Sequence, residues 1–156
     1  MKDKPILELK QVELKTALGY QTILEDINFQ LFPGERLVII GASGAGKTSL
    51  LRLLNRLENP TQGVIKFQGK NSQKVPILKL RRSVVLVPQE SKLLGMKVSE
   101  AIAYPLILQK LANKTIQPRI LTITQKLNIP SEWLEKTELE LSLGQRQLVA
   151  SARGLV

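Results

Sequence analysis

The feature that most constrains this chain is the junction at which Leu37-Val38-Ile39-Ile40 runs into Gly41-Ala42-Ser43-Gly44-Ala45-Gly46-Lys47-Thr48, with Leu50, Leu53, Leu54 and Leu57 following. An apolar run with no polar alternation reads as a strand covered on both faces, the habit of a parallel sheet. Leucines at that spacing read as a helix with one apolar face. Passing from the first to the second through a glycine-rich loop predicts a strand, loop and helix unit, which belongs to the α/β class.

The loop has the pattern G-x-x-x-x-G-K-[ST], and its residue types suit one chemistry. Glycine lets backbone N–H groups close around phosphate oxygens, and the start of the following helix adds its positive end. Gly41, Ala42, Ser43, Gly44, Ala45 and Gly46 would form the cradle. Lys47 would neutralise the β- and γ-phosphates, the Thr48 hydroxyl would join Mg²⁺, and Ser49 would add a phosphate contact. The plainer alternative is a glycine-rich turn beside a solvated lysine.

A chain of 156 residues is long enough for one domain with a core. The absence of cysteine and histidine excludes disulfides, Cys/His metal sites and histidine-based catalysis within these residues. The net charge of +10 admits nucleic acid or an anionic surface as partner. The basic residues are scattered, however, with Lys79, Arg81 and Arg82 the dense cluster, and aromatic residues make up 4%. Stacking platforms for single strands are not apparent, so a solvated basic surface is expected and no nucleic-acid partner. Met1-Lys2-Asp3-Lys4 has no signal-peptide pattern, and the longest uncharged run, Leu37 to Gly46, is too short to span a bilayer. A soluble, cytoplasmic chain is the expectation.

Before the loop, Ile6 to Leu14 alternates loosely and Ile27-Asn28-Phe29-Gln30-Leu31 cleanly, predicting half-exposed antiparallel strands, with Phe32-Pro33-Gly34-Glu35 as a turn. After it, Glu58 to Gly63 ends the leucine helix, Val64 to Gln68 is a strand, Lys70 to Lys74 a loop and Ile77 to Arg82 a short helix. Ser83 to Val87 reads as a second buried strand, ending at Pro88-Gln89. From Val98 the pattern is helical. Val98 to Leu111 is expected to kink at Pro105 or to form two pieces, Gln117 to Leu127 to hold Pro118 in its first turn, and Ser131 to cap a short helix through Glu135. Ser142 precedes a last helix beginning near Gly144.

Leu141-Ser142-Leu143-Gly144-Gln145-Arg146-Gln147, together with the phosphate loop and Gln89 at the end of the intervening strand, resembles the ATP-binding cassette (ABC) family of ATPases. The resemblance runs from about Ile6 to Val156. The family's signature is L-S-G-G-Q, and Leu143 stands where its first glycine would be. The resemblance implies a P-loop fold with an antiparallel β subdomain, a partial parallel-sheet core and an α-helical subdomain. It places the nucleotide-binding core at about 1–90, the helical subdomain at about 91–145 and the signature at 141–147. It implies ATP and Mg²⁺ as cofactors, with Lys47 and Gln89 catalytic and Thr48 and Gln89 toward the metal. Ser142, Gly144 and Gln145 would meet ATP held by a second cassette subunit. Leu143 adds bulk there and limits φ, which would weaken activation in trans. Tyr20 is the candidate to stack on adenine, although the family's spacing points to Leu18.

The family continues into a Walker B strand ending in Asp-Glu and a switch histidine, neither of which is found here. The expectation is a truncated cassette in which Leu37 to Ile40 bares an apolar edge. Three functions follow. The first is the ATP-hydrolysing subunit of a transporter, peripheral on the inner face of the membrane through a separate permease. The second is a non-hydrolysing nucleotide-binding module or degenerate product. The third is a soluble cassette protein acting on nucleic acid.

Overall fold

The computed structural model describes residues 4–156. The chain divides into two compact units, Met1–Leu86 and Val87–Val156, each with its own core.

The first unit is built on a four-stranded antiparallel sheet of order β2-β1-β3-β4, with β1 Leu7–Lys15, β2 Thr22–Leu31, β3 Gln62–Phe67 and β4 Lys70–Asn71. The loose alternation of β1 has a local cause. Leu9 and Val12 are both buried because the register shifts between them, where Gln11 takes φ 48°. Such a bulge lets successive apolar side chains reach one face. The freed Gln11 N–H donates to Asn28 Oδ1 at 2.7 Å. Gly63 is required opposite: a Cβ there would lie 2.1 Å from the Gln11 carbonyl oxygen.

Helix α1, Lys47–Leu54, lays Leu50 and Leu53 onto Leu9, Val12, Leu24 and Ile65. Leu80 of the short helix α2, Ile77–Ser83, joins Leu7, Phe67 and Val75 in a smaller cluster. On the opposite face of β1, Glu8 sits between Gln30 of β2 and Lys66 of β3 in register. Lys66 at 3.0 Å, then Gln30 at 2.9 Å and Lys10 at 3.2 Å hold its carboxyl down from 4.5 to about 2. These charge-assisted bonds favour the ionised form.

Two expected strands do not form. Residues 37–40 and 84–87 make no ladder. Ile39 packs against the first core, while Val38 and Ile40 are 79% and 87% exposed. Apolar composition predicts a wish for burial, but strand structure is a matter of pairing, and among the described residues nothing pairs with either run.

The second unit packs α3, Val98–Leu108, against α4, Asn113–Lys126, and α5, Leu143–Leu155. Its core joins Val98, Ala101, Ile102 and Leu106 to Ile116, Ile120, Val149 and Ala152. Two proline expectations are corrected. Pro105 lies inside one helix that ends just beyond it, rather than dividing a helix that runs to Leu111. Pro118 lies within α4 and not in its first turn, because the helix starts at Asn113 and buries Ile116. Packing of that turn outweighs the N–H that proline lacks. Ser131 is the first residue of a 3-10 turn, Ser131–Trp133, and not its cap. No helix among the described residues is long and apolar enough to cross a membrane.

Candidate functional site

The candidate residues fall on both units, and each group is described within its own. In the first, the loop 41–46 delivers the chain into α1 with Gly46 as N-cap at φ 83° and Gly44 at φ 80°. Both lie in the left-handed region that glycine reaches without steric penalty. Gly46 is also pressed against β2: a Cβ there would lie 2.9 Å from the Ile23 carbonyl oxygen and 2.9 Å from Leu24 Cδ2. The sheet thus fixes where α1 begins. No side chain caps that helix start, and no acidic residue stands in its first turn. The first-turn N–H groups and the positive helix end are therefore left for an anion.

Lys47 Nζ donates to the carbonyl oxygens of Gly41 at 2.8 Å and Ala42 at 2.7 Å. The ammonium is thereby held over the loop mouth by bonds that a more strongly accepting phosphate oxygen could replace. Gly41 to Ala45 and Thr48 are exposed, and Ser49 is half-buried. The cradle, the uncapped helix start, the lysine and the Thr48 hydroxyl together fit a metal-bound polyphosphate. Tyr20 is 90% exposed in the hairpin turn between β1 and β2, just before the Ile23 that braces Gly46.

In the second unit, Ser142 is the N-cap of α5. Its Oγ accepts from the Gln145 N–H at 3.3 Å, and Gln145 Oε1 accepts from the Ser142 N–H at 2.8 Å. This reciprocal capping box gives Gln145 a structural task in addition to any role toward a ligand. Gly144 is helical, and a Cβ there would meet nothing within 4 Å. Leu143, 63% exposed, is the first residue of α5. The expected limit on its φ is therefore immaterial, since a helical backbone suits any non-proline residue, and only its bulk distinguishes it from glycine.

Gln89 is exposed in the irregular segment 84–97 that precedes α3. The following residues are tied to α5: Gln147 Nε2 donates to the Pro88 carbonyl at 3.2 Å, and the Ser91 hydroxyl donates to Gln147 Oε1 at 2.7 Å. Sequence reasoning missed Ser91 and Gln147. Gln147 lies inside the heptapeptide and so was within reach, but nothing in the sequence marks Ser91. Among the described residues no cluster of acidic side chains could hold a metal by itself.

A left-handed glycine N-cap, a lysine folded over its own loop and an uncapped helix start define a phosphate-loop protein. The family model described as ABC transporter matches residues 24–156, and the chain belongs to that family. It is 36% identical over 157 residues to the spermidine/putrescine import ATP-binding protein PotA of Haemophilus influenzae, covering 100% of this chain and 41% of the relative. It is 37% identical over 147 residues to the methionine import ATP-binding protein MetN of Francisella tularensis, covering 92% and 42%. Among solved structures it is similar to cbiO1 from Clostridium perfringens, part of the ABC transporter complex cbiONQ. The TM-score is 0.87 at 27% identity, over 98% of this chain and 62% of that one. A dimeric ATP-binding cassette in a post-hydrolysis state with ADP and Pi shares the fold, with a TM-score of 0.76 at 22% identity over 96% and 68%. The chain thus spans about 41% of the length of the first of these curated relatives.

Proposed function

We propose that this chain binds Mg-ATP through residues 41–49 and serves as the nucleotide-binding part of a transport ATPase that energises a separate membrane permease. The observation that carries the reading is the start of α1, uncapped by any side chain and roofed by Lys47, in a chain of the ABC transporter family. Loop N–H groups and the helix end would hold the β- and γ-phosphates, and Lys47 would leave the Gly41 and Ala42 carbonyls for them. Thr48 would hold Mg²⁺, which when bound supplies charge neutralisation at the phosphates, and the role of Gln89 toward the metal rests on the family resemblance. Tyr20 would stack on adenine from its hairpin turn. The division of labour follows the two units: the β and P-loop core binds the nucleotide, and the helical part presents Gln89 and the signature.

The signature end, Ser142 with Gly144 and Gln145, would act on ATP held by a second cassette, so the working form is a dimer. PotA and MetN are named for different cargoes yet match nearly the same residues of this chain. Cargo choice is then made outside these residues, in keeping with a permease on a separate chain and a cassette peripheral to the inner face of the membrane.

The test measures binding of a fluorescent ATP analogue and Mg-ATP turnover for the full chain and for Lys47→Ala. Losing the ammonium should weaken binding and lower turnover by roughly two to three orders of magnitude, the scale for removing one preorganised group at developing charge. Unchanged nucleotide affinity in Lys47→Ala would sink the reading. Binding that depends on Lys47 without turnover would make the chain a non-hydrolysing nucleotide-binding module.

A further inference from the structure

We propose that Gln147 is the positioning residue of the Gln89 loop, a two-point clasp from α5 that fixes where Gln89 is presented; this rests on the role given to Gln89 above. The Gln147 amide uses both ends. Its Nε2 donates to the Pro88 carbonyl at 3.2 Å and its Oε1 accepts the Ser91 proton at 2.7 Å. The orientation is fixed by chemistry, because reversing the amide would set its carbonyl against that of Pro88. Ser91 is only 3% exposed, and the one other acceptor given to its hydroxyl, the Pro88 carbonyl, stands farther off at 3.3 Å, so the 2.7 Å bond to Gln147 is the stronger one.

The two contacts bracket Gln89 and Glu90, which are themselves exposed. Two further ties extend the attachment: Arg153 Nη1 donates to the Lys92 carbonyl at 3.1 Å, and Glu138 Oε2 accepts from the Leu93 N–H at 2.7 Å. Gln147 and Arg153 therefore bind the loop to the helix whose start is the signature, Glu138 binds it to the 3-10 turn just before that helix, and displacement of α5 carries Gln89 with it. Gln147 need touch neither nucleotide nor metal to have this effect.

The test compares Gln147→Met, which keeps length and removes both bonds, with Gln147→Glu, which keeps an acceptor for Ser91. Amide hydrogen exchange, Mg-ATP turnover and nucleotide affinity are read on the full chain. Gln147→Met should speed exchange across 89–92 and lower kcat, each by about tenfold or more, the scale of one to two net hydrogen bonds lost, with KM within about twofold. Gln147→Glu should loosen the loop at least as much, because one of its carboxylate oxygens faces the Pro88 carbonyl. Ser91→Ala provides a second route to the same loosening should Gln147→Met fold poorly. Unchanged exchange at 89–92, or equal loss of protection along all of α5, would overturn the clasp. A loosened loop with wild-type kcat, where Gln89→Ala lowers kcat, would overturn the positioning role. If Gln89→Ala itself leaves kcat unchanged, the role given to Gln89 has failed instead, and the exchange result still decides the clasp.

Discussion

Two helices in this molecule begin beside glycine, and they begin in opposite ways. α1 starts from Gly46 in a left-handed conformation, with no side-chain cap and its backbone wedged against β2. α5 starts from Ser142, which closes a capping box with Gln145, and its Gly144 has open space where a side chain would go. The first helix start leaves its orphan N–H groups without side-chain partners, open to water or to a ligand. The second satisfies part of its own need and so can stand exposed. A glycine required by geometry and a glycine allowed by it are different things, and the sequence writes both with the same letter.

The comparison is most open to attack at Gly46. Gly46→Ala must place a Cβ 2.9 Å from the Ile23 carbonyl oxygen at a φ that side chains rarely adopt. A cost of about 1–3 kcal/mol is expected, with loss of nucleotide binding, read by denaturant unfolding and by titration with the fluorescent analogue. Should the variant keep wild-type stability, the claim that β2 fixes the start of α1 is wrong. Ser142→Ala comes next: losing the N-cap should cost about 1 kcal/mol, read by denaturant unfolding. Gly144→Ala is the control. A helical site with open space should gain up to about 1 kcal/mol of stability, so a loss of turnover without loss of stability would support the contact proposed above between Gly144 and a second cassette. Destabilisation there would mean that Gly144 is required as Gly46 is.

How much of this was legible beforehand depended on whether a feature is local. The phosphate loop, the start of α1 and the Ser142 cap are short-range devices whose residue types state their own geometry, and the family resemblance rested on them. What failed was non-local. Leu37 to Ile40 carries the composition of a central strand, yet strandhood needs a partner that the run itself cannot name. Pro118 read as a helix start because proline is tolerated there, whereas Ile116 extended α4 back to Asn113 by finding the core. The Ser91 and Gln147 pair lies far apart in sequence and uses common residues, so no pattern announced it.

The finest difference between the two helix starts is their response to acid. Just ahead of α5, the 3-10 turn Glu138–Glu140 is held by Glu140, whose carboxylate accepts from the Thr137 backbone N–H at 2.8 Å and from its hydroxyl at 3.0 Å. The Thr137 backbone bond first, then its hydroxyl, hold the Glu140 carboxyl below its ordinary 4.5. A carboxyl depressed in the folded state stabilises above its unfolded value and loses that contribution as pH falls through the folded one. The run-in to α5 should therefore loosen below pH 4.5, by a small amount because the group is on the surface. No acidic residue stands in the first turn of α1, so that helix start has no such carboxylate to lose. Amide exchange at 137–143 and at 47–50 between pH 5 and pH 3, corrected for intrinsic rates, should show protection falling at the first segment and holding at the second. In Glu140→Gln the pH step at 137–143 should vanish. If it persists, the acid response belongs to another group, and the two helix starts do not differ in the way their caps imply.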